Sequence, residues 1–283
     1  MSNSYLQKFK YELSGPEDAP KLVFLHGVMG SGANWQKIAK AFQKKFRVLT
    51  YDQRGHGASF KPLDGYSTED YAMDLKHIID ELGWDKIILI GHSMGGRNAL
   101  HFAYKFPQIV LALIIEDIGP EGNKAAMQKN IDLVERVPTP FTSKQAAKNY
   151  FDNEFVKTLP GMPNARVLAQ FFYANIVQFP NGSADWRFSK KAILASLLDG
   201  YLKSQWDAVK ALSMPTLFVR GRQSEVFSQE EYNQVLDVNP KIQGVEINDA
   251  GHWVHFDKPD AFVHTIQKFL QKNLGFDFLS RDL

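Results

Sequence analysis

Ser93 is the residue whose type and setting most clearly predict chemistry, because it is the centre of the pentapeptide Gly91-His92-Ser93-Met94-Gly95. A serine hydroxyl is a poor nucleophile until a base accepts its proton and nearby donors stabilise the oxyanion that forms. An apolar run at 86–90 precedes the pentapeptide, and a helix-forming segment at 97–104 follows it. A G-x-S-x-G pattern between a strand and a helix is typical of a nucleophile elbow, a tight turn that exposes the serine. The pattern therefore predicts nucleophilic catalysis at Ser93.

The base is expected among the histidines that follow the serine, since the elbow arrangement has the chain order serine, acid, histidine. Four of the eight histidines qualify: His101, His252, His255 and His264. His101 falls in the helix that leaves the elbow, and His264 falls in the C-terminal helix. His252 is the preferred base because it follows the last predicted strand directly, and the preceding Gly251 permits close approach of the backbone. His255 lies three residues further on, near the start of the final helix.

Two carboxylates could orient the histidine. Asp117 follows the predicted strand that ends in Ile114-Ile115, and Glu225 lies in the loop after the strand that precedes the histidine strand. Either strand end could reach the site, so both alternatives are open, with Asp117 preferred and Glu225 as the second choice. Glu116 should point to the opposite face from Asp117, because successive side chains of a strand alternate.

An oxyanion hole needs two backbone donors, one of which is the amide after the nucleophile, here Met94. The second donor is predicted at Val28, in the glycine-containing loop at 25–32 that follows the first predicted aliphatic strand. Glycine lets this loop turn back toward the serine. The loop matches neither G-x-G-x-x-G nor G-x-x-x-x-G-K-[ST], so it does not indicate nucleotide binding.

Composition excludes several classes of function. The 283-residue chain has a formal net charge of +2, and its basic and acidic residues alternate, so neither nucleic acid nor an anionic membrane is an expected partner. The absence of cysteine excludes disulfides, thiolate nucleophiles and cysteine metal sites. The first residues lack an apolar signal core, and no stretch approaches the roughly 18 apolar residues of a membrane helix. The default expectation is a cytoplasmic protein, and its oligomeric state stays open.

No metal or other cofactor is expected. His252 and His255 are spaced by three residues, but no third ligand is evident and the H-E-x-x-H motif is absent. A small neutral molecule is the partner expected on these grounds.

Aliphatic runs that alternate with helix-like segments predict an α/β fold with a mostly parallel, doubly wound sheet. The alternation stops between about residues 120 and 207, where the sequence becomes aromatic and polar. This segment is predicted to be a helical cap, inserted into a core domain formed by residues 1–119 and 208–283. Ligands of open parallel sheets bind beyond the carboxyl ends of the strands, so the cap should cover that crevice. The predicted strands are 22–25, 46–51, 87–90, 112–115, 216–219 and 245–247, and the predicted helices are 34–45, 68–82, 95–105, 143–155, 165–175, 190–202 and 259–273.

The cap has more aromatic residues than one thin layer needs for packing, so some of them are expected to line a substrate pocket. Phe172 and Trp186 in the cap, together with Trp253 next to the predicted base, are the candidates. The alternative is that such residues only pack the cap against the core, as aromatic pairs do elsewhere. An apolar lining would suit a short or medium acyl group.

Four segments together resemble the α/β-hydrolase superfamily, and the resemblance spans nearly the whole chain. Finer features look like a subgroup of small bacterial acyl esterases and their mitochondrial relatives, in which the aspartate matching Asp117 substitutes for an acid that is often missing after the seventh strand. The four segments are His26-Gly27-Val28-Met29-Gly30-Ser31, Asp52-Gln53-Arg54-Gly55-His56-Gly57, Gly91-His92-Ser93-Met94-Gly95-Gly96 and Ala250-Gly251-His252-Trp253. The finer features are Asp117-Ile118-Gly119-Pro120, Asp185-Trp186-Arg187-Phe188 and Gly251-His252-Trp253-Val254-His255.

The resemblance implies an α/β-hydrolase fold with the cap inserted after the sixth strand, and hydrolysis of small acyl esters or thioesters through an acyl-enzyme on Ser93. His252 would act first as base and then as acid. Dehalogenases and epoxide hydrolases of the superfamily carry an aspartate nucleophile, so Ser93 argues against both. Lipase, lactonase, carbon-carbon bond hydrolase and perhydrolase activities stay open, since one fold hosts many functions. A small-molecule receptor with the same pocket is the alternative from another class.

Overall fold

The predicted aliphatic runs form the centre of a seven-stranded sheet in the computed structural model, which describes residues 4–162 and 165–278. Its strand order is β1-β3-β2-β4-β5-β8-β9, and every neighbouring pair is parallel except β1 with β3. This confirms the mostly parallel α/β sheet. The strands of the described residues are β1 (Tyr11–Ser14), β2 (Lys21–Leu25), β3 (Arg47–Tyr51), β4 (Ile87–His92), β5 (Val110–Glu116), β6 (Ile176–Gln178), β7 (Ala184–Trp186), β8 (Thr216–Gly221) and β9 (Ile242–Ile247).

Helices cover both faces of the sheet, which confirms the doubly wound arrangement. One face packs against α2, α3, α8 and α9, and the other packs against α1 and α11. No helix in the described part of the chain has both the length and the apolar character needed to cross a bilayer. The helices are α1 (Gln36–Phe42), α2 (Thr68–Glu81), α3 (Met94–Lys105), α4 (Lys124–Glu135), α5 (Lys144–Asn153), α6 (Ala165–Ala174), α7 (Lys190–Leu202), α8 (Trp206–Ala211), α9 (Gln229–Val238), α10 (Val254–Asp257) and α11 (Pro259–Leu274).

The central strand β4 is buried along its whole length because side chains from both of its faces enter hydrophobic clusters. Leu89 joins the cluster on one face, whereas Ile88 and Ile90 join the cluster on the other. Period-two alternation explains this division. Burial on both faces explains why the sequence of β4 is a continuous apolar run. The carboxyl end of this strand is therefore held firmly in the middle of the sheet, where Ser93 follows it.

Between β5 and α8 the chain forms α4 to α7 and a small antiparallel hairpin of β6 and β7. These elements have a hydrophobic cluster of their own, centred on Phe151, Phe155 and Phe172. We call residues 120–207 the cap. β5 is the fifth strand in chain order, whereas the resemblance places the insertion after the sixth. The two three-residue strands of the hairpin were not predicted, and the division into two domains at 119/120 and 207/208 stays a prediction.

Candidate active site

Ser93 lies in a sharp turn between β4 and α3. Its backbone has φ 53° and ψ −121°, a conformation that costs a non-glycine residue on the order of 1–3 kcal/mol. Neighbouring backbone leaves no room for side chains on either side of the turn. A Cβ at Gly91 would lie 2.3 Å from the Gly95 carbonyl oxygen, and one at Gly95 would lie 2.3 Å from the Leu25 carbonyl oxygen. The glycines of the pentapeptide are therefore required by packing, as the nucleophile-elbow pattern predicts.

Ser93, His252 and Asp117 are joined by two hydrogen bonds. The His252 Nε2 atom lies 3.0 Å from Ser93 Oγ, and His252 Nδ1 lies 2.8 Å from Asp117 Oδ2. A carboxylate only accepts hydrogen bonds, so Nδ1 carries the proton that is donated to Asp117. Nε2 is then left as an acceptor that faces the serine hydroxyl. This tautomer is the one in which an imidazole can take a proton from Ser93.

Asp117 is held in place by several donors at the carboxyl end of β5. Its side chain is fully buried, and its Oδ1 atom accepts a 2.8 Å hydrogen bond from the Gly221 amide. The Ser224 hydroxyl donates to Oδ2, the same oxygen that contacts His252. Ser224 in turn accepts from the Val226 and Phe227 amides. No sequence pattern indicates Ser224 as a partner of the acid.

Glu225, the second choice for the acid, lies outside this group. Its side chain is 86% exposed and forms a 3.4 Å ion pair with Lys129 of the cap. The loop that contains it contributes Ser224 to the site instead, because the neighbouring side chain points inward to Asp117. Of the two carboxylates, Asp117 alone contacts His252 among the described residues.

Val28 and Met94, the predicted oxyanion donors, line one cavity together with Ser93 and His252. The loop that contains Val28 approaches the serine closely, since a Cβ on Gly27 would lie 3.2 Å from Ser93 Cβ. Met94 is the first residue of α3, where helix amides have no intrahelical acceptor. Both backbone donors are thus in the neighbourhood that an oxyanion at Ser93 would occupy.

Gln53 fixes the loop at 26–28 through two hydrogen bonds to His26, and a third bond joins Gln53 to Asn98 of α3. Its Nε2 donates to the His26 carbonyl (2.7 Å), and its backbone amide donates to His26 Nε2 (2.9 Å). Asn98 Nδ2 donates to Gln53 Oε1 at 2.9 Å. Because His26 Nε2 accepts, its Nδ1 carries the proton and donates to the Gly27 carbonyl at 2.8 Å. Burial lowers the pKa of His26 to about 4, so this ring is neutral near pH 7.

Glu116, the neighbour of Asp117 in the chain, forms a second carboxylate–histidine pair with His255. His255 donates from its backbone amide and from Nδ1 to Glu116 Oε1, both at 2.8 Å, and the Glu116 side chain is fully buried. Burial raises the pKa of Glu116 to about 7 and lowers the pKa of His255 to about 3. His92 Nε2 donates to the His252 carbonyl at 2.9 Å, which connects this pair to the loop that carries His252. Glu116 points away from Asp117, as strand alternation predicts.

His92, Glu116 and His255 each offer a potential metal ligand, with the ligand atoms within 4.8 Å of one another. His255 Nδ1 is already bonded to Glu116, and His92 Nε2 is bonded to the His252 carbonyl. One ring nitrogen of each histidine in the cluster is thus used in a hydrogen bond within the protein. This set includes only one of the two histidines that the sequence analysis weighed as ligands.

The cavity beside Ser93 has a volume of about 1010 Å³, including space open to solvent. Its lining is mostly apolar. Trp253 is part of that lining, and its ring lies 5.4 Å from the ring of Phe171 on α6. The lining also includes Leu168 and Phe171 of the cap and Val28 and Met94 of the core.

Phe172 and Trp186 do not line this cavity, contrary to expectation. Both are buried within the cap, where their rings lie 5.6 Å apart. Phe155 and Phe188 pack against them at 5.3 Å and 4.6 Å between ring centroids. One residue corresponds to a rotation of about 100° on a helix, so Phe171 faces the cavity while Phe172 faces the interior of the cap. Sequence alone does not fix that rotation.

Comparison with known proteins places the chain in a class that the fold and site already indicate. Residues 20–259 match the family described as the alpha/beta hydrolase fold. The chain belongs to this family, and its relatives identify it as an α/β hydrolase of the esterase and lipase type.

The sn-1-specific diacylglycerol lipase ABHD11 of Mus musculus is 32% identical over 268 residues, which cover 91% of this chain and 83% of the relative. A candidate esterase/lipase of Haemophilus influenzae is 31% identical over 278 residues, covering 96% of this chain and 91% of the relative. Among solved structures, a marine microorganism esterase has a TM-score of 0.80 at 26% identity and covers 93% of this chain and 99% of its own.

Proposed function

We propose that the protein is a serine carboxylesterase that hydrolyses acyl esters through an acyl-enzyme on Ser93. The observation that carries the proposal is the continuous chain of hydrogen bonds from Ser93 Oγ through His252 to Asp117. A serine, a histidine whose Nε2 carries no proton, and a buried carboxylate that accepts from Nδ1 form the arrangement that activates serine hydroxyls on several unrelated folds.

In the first half of the reaction, Ser93 Oγ attacks the carbonyl carbon of the ester while His252 Nε2 accepts the hydroxyl proton. Negative charge develops on the carbonyl oxygen, and the amides of Val28 and Met94 are the proposed donors to that oxygen. The carbon–oxygen bond to the alcohol then breaks, and His252 returns its proton to the leaving oxygen. The Asp117 carboxylate stabilises the positively charged imidazole between the two transfers.

In the second half, a water molecule replaces the alcohol beside His252. The histidine accepts one proton from this water, and the water oxygen attacks the acyl carbon. The bond between that carbon and Ser93 Oγ then breaks, and His252 gives the proton back to the serine. The carboxylic acid leaves and the enzyme returns to its starting state. A thioester would follow the same steps with a thiol as the leaving group.

The substrate class is proposed from the cavity and from the relatives. A mostly apolar lining with few charged groups near Ser93 suits a short or medium acyl chain. A mouse relative named as a diacylglycerol lipase and a marine relative named as an esterase both support carboxylic esters as the class. The small-molecule acyl ester is the proposed partner, and no metal or cofactor has a role in these steps.

Steady-state hydrolysis of p-nitrophenyl acetate and butyrate tests the proposal. We expect many turnovers per molecule, and we expect Ser93→Ala to lower the rate at least a thousandfold, because no acyl-enzyme can form. Ser213→Ala is the matched control, since Ser213 is an exposed serine outside the site. Release of one equivalent of p-nitrophenol that then stops would instead support a receptor that is acylated once. Full activity in the Ser93→Ala variant would contradict the mechanism.

A further inference from the structure

The oxyanion loop, which we define as residues 26–31, carries the proposed donor Val28 and contacts both the core and the cap. Gln53 of the core fixes its first residue, His26, with two hydrogen bonds. Val28 is the first central residue of a four-residue turn, closed by a 3.0 Å hydrogen bond from the amide of its last residue, Gly30, to the carbonyl of its first. The core thus holds the start of the loop, and the position of the Val28 amide also depends on what holds the remainder.

Met29, the second central residue of the turn, belongs to the hydrophobic cluster of the cap. Its side chain is only 3% exposed, and the other buried members of that cluster among the described residues all lie in the cap. Val28 is half-buried and packs against the same cluster. The Met29 backbone has φ 61°, a strained left-handed conformation for a non-glycine residue, which persists only where the surroundings enforce it. The cap provides the surroundings of this side chain.

Arg187 connects the end of the oxyanion loop to the cap by a side-chain hydrogen bond. It follows β7 directly, and its Nη2 atom donates to Ser31 Oγ at 3.2 Å. Ser31 is only 3% exposed, so water has little access to this acceptor. Burial is the main cause of the lowered pKa of His26, and the positive charge of Arg187 adds to it. The guanidinium therefore lies near the start of the loop as well as at its end.

Asn175 holds the Arg187 side chain in the direction of Ser31. Arg187 Nε donates to Asn175 Oδ1 at 3.0 Å, and the Arg187 amide donates to the Asn175 carbonyl at 2.8 Å. Asn175 is buried, and its Nδ2 atom donates at 3.0 Å to the carbonyl of Phe171, the α6 residue that lines the active-site cavity. Two donors of the planar guanidinium are thus used, one toward the cap and one toward the core, which fixes its orientation. The bonds form a continuous path from the cavity-lining helix to the oxyanion loop.

We propose that Arg187 is a positioning residue for the oxyanion hole, and that the cap takes part in the chemical step as well as covering the substrate. This role rests on the proposed esterase function. A backbone donor stabilises an oxyanion best when it is fixed at hydrogen-bond distance before the charge develops. Without the bond from Arg187, the end of the loop is released on the cap side and the strained turn at Met29 can relax. The Val28 amide then moves out of position, while the apolar lining of the cavity stays.

A trifluoromethyl ketone reports on the oxyanion hole directly. Ser93 Oγ adds to its carbonyl carbon, the hydroxyl proton passes to His252, and the ketone oxygen becomes an oxyanion. No group leaves, so the adduct persists as an analogue of the transition state. The inhibition constant of 2-hexanone divided by that of 1,1,1-trifluoro-2-hexanone therefore measures oxyanion stabilisation. Both constants are measured on one preparation, so unfolded protein does not change the ratio. Hydrolysis of p-nitrophenyl butyrate gives kcat and KM for the same preparation.

Arg187→Met keeps an unbranched apolar stem but removes the donors of the side chain. Loss of a whole oxyanion donor costs about 10²- to 10³-fold in kcat, so for a displaced donor we expect the ratio and kcat each to fall about tenfold or more, with KM within about threefold. Arg136→Met is the matched control, because Arg136 is also an arginine of the cap but donates at 3.1 Å to the Thr158 carbonyl, within the cap. A wild-type ratio in Arg187→Met would overturn the positioning role.

Arg187→Lys separates the geometry of the bond from the charge. A lysine ammonium lacks the planar fork that reaches Asn175 and Ser31 from two fixed positions, so we expect this variant to show most of the loss. A wild-type ratio in Arg187→Lys would show that the charge alone suffices, and it would overturn a role that acts through the hydrogen bond.

Ser31→Ala tests the other end of the same bond. The Ser31 backbone remains bonded to Asn34 at 2.7 Å and 3.0 Å, so the loop should stay folded. We expect the ratio to fall as in Arg187→Met. The double variant should lie within about twofold of the lower single variant, because both changes remove one interaction. Full multiplication of the two effects would contradict a shared bond and overturn the positioning role.

The wild type separates this role from the proposed function. A wild type that hydrolyses the ester and prefers the trifluoromethyl ketone, with the same ratio in Arg187→Met and Ser31→Ala, would retain the esterase and reject the positioning role. A wild type with neither turnover nor a preference for the trifluoromethyl ketone would reject the esterase proposal, and the positioning role with it.

Discussion

Two neighbouring residues at the end of β5 each bind a histidine, yet the two pairs differ in almost every other respect. Asp117 contacts His252, whose side chain is 25% exposed and faces Ser93 on its other nitrogen. Glu116 contacts His255, which is buried and has no nucleophile among its hydrogen-bond partners within the described residues. The same chemical pair thus occurs twice, one residue apart, on opposite faces of a strand.

A carboxylate and a histidine therefore become a catalytic pair through a third partner, the nucleophile, and through access to the cavity. The buried pair instead connects the end of β5 to α10, and His92 connects the same region to the His252 carbonyl. We therefore expect the Asp117 pair to control the rate and the Glu116 pair to control stability.

The largest expected effect is that of Asp117→Asn on the rate. An asparagine in place of this acceptor favours the wrong tautomer of His252, so kcat should fall about 10³- to 10⁴-fold. Glu225→Gln is the matched control. Among the described residues this exposed side chain pairs with Lys129 alone, so the change should leave kcat within about twofold. Hydrolysis of p-nitrophenyl butyrate measures both. The reverse ranking would show that the exposed loop carboxylate is the acid in solution.

The next effect is that of His255→Ala on stability. Removal of this ring leaves the buried Glu116 carboxyl without its partner and opens a cavity, so the free energy of unfolding should fall by about 3 kcal/mol or more. Urea denaturation measures it, with His264→Ala as a control at an exposed histidine. A variant as stable as the wild type would remove the structural role that we assign to the Glu116 pair.

The smallest expected effect is the pH dependence of the stability that Glu116 contributes. The unfolded chain releases the Glu116 proton near pH 4.5, whereas the folded chain keeps it until about pH 7, because burial penalises the charged form. Stability from this group therefore falls as pH rises between those values. Glu116→Gln lacks this loss, so its stability relative to the wild type should improve by about 2 kcal/mol between pH 5 and pH 7.

Urea denaturation of both proteins at several pH values measures that change. The neutral buried histidines oppose it in absolute terms, since they lose stability as pH falls, but they are common to both proteins. A difference that stays constant or grows in favour of the wild type with rising pH would contradict the assigned direction.

Local patterns predicted much of the fold because buried parallel strands carry a continuous apolar signal. The sequence pattern does not predict β1, because β1 is an edge strand whose residues are exposed or half-buried. The pattern also does not predict the polar helices α4 and α9, because neither has an extensive buried face. Helix periodicity did locate α6, but its rotation about the axis, which separates Phe171 from Phe172, depends on packing against the core.

The candidate site likewise has residues that the sequence predicts and contacts that it does not. Ser93, His252 and Asp117 were predictable because each directly follows a strand or lies in the loop after one, and parallel strands end at one edge of the sheet. Strand alternation also predicted that Glu116 faces away from Asp117. The contact of Glu116 with His255 was not predictable, because it joins residues far apart in the sequence.

The backbone at the site has a consequence for how this chain can change over evolutionary time. Met29, Ser93, Asp117 and Asp249 have φ values between 50° and 61°, although none of them is glycine, and all lie in or next to the site loops. Glycine would relieve the strain at each position, so selection for stability alone would favour it. At Ser93 and Asp117 the proposed chemistry requires the side chain. Activity and stability therefore oppose each other at these positions, and they should be left unchanged when a more heat-resistant variant is designed.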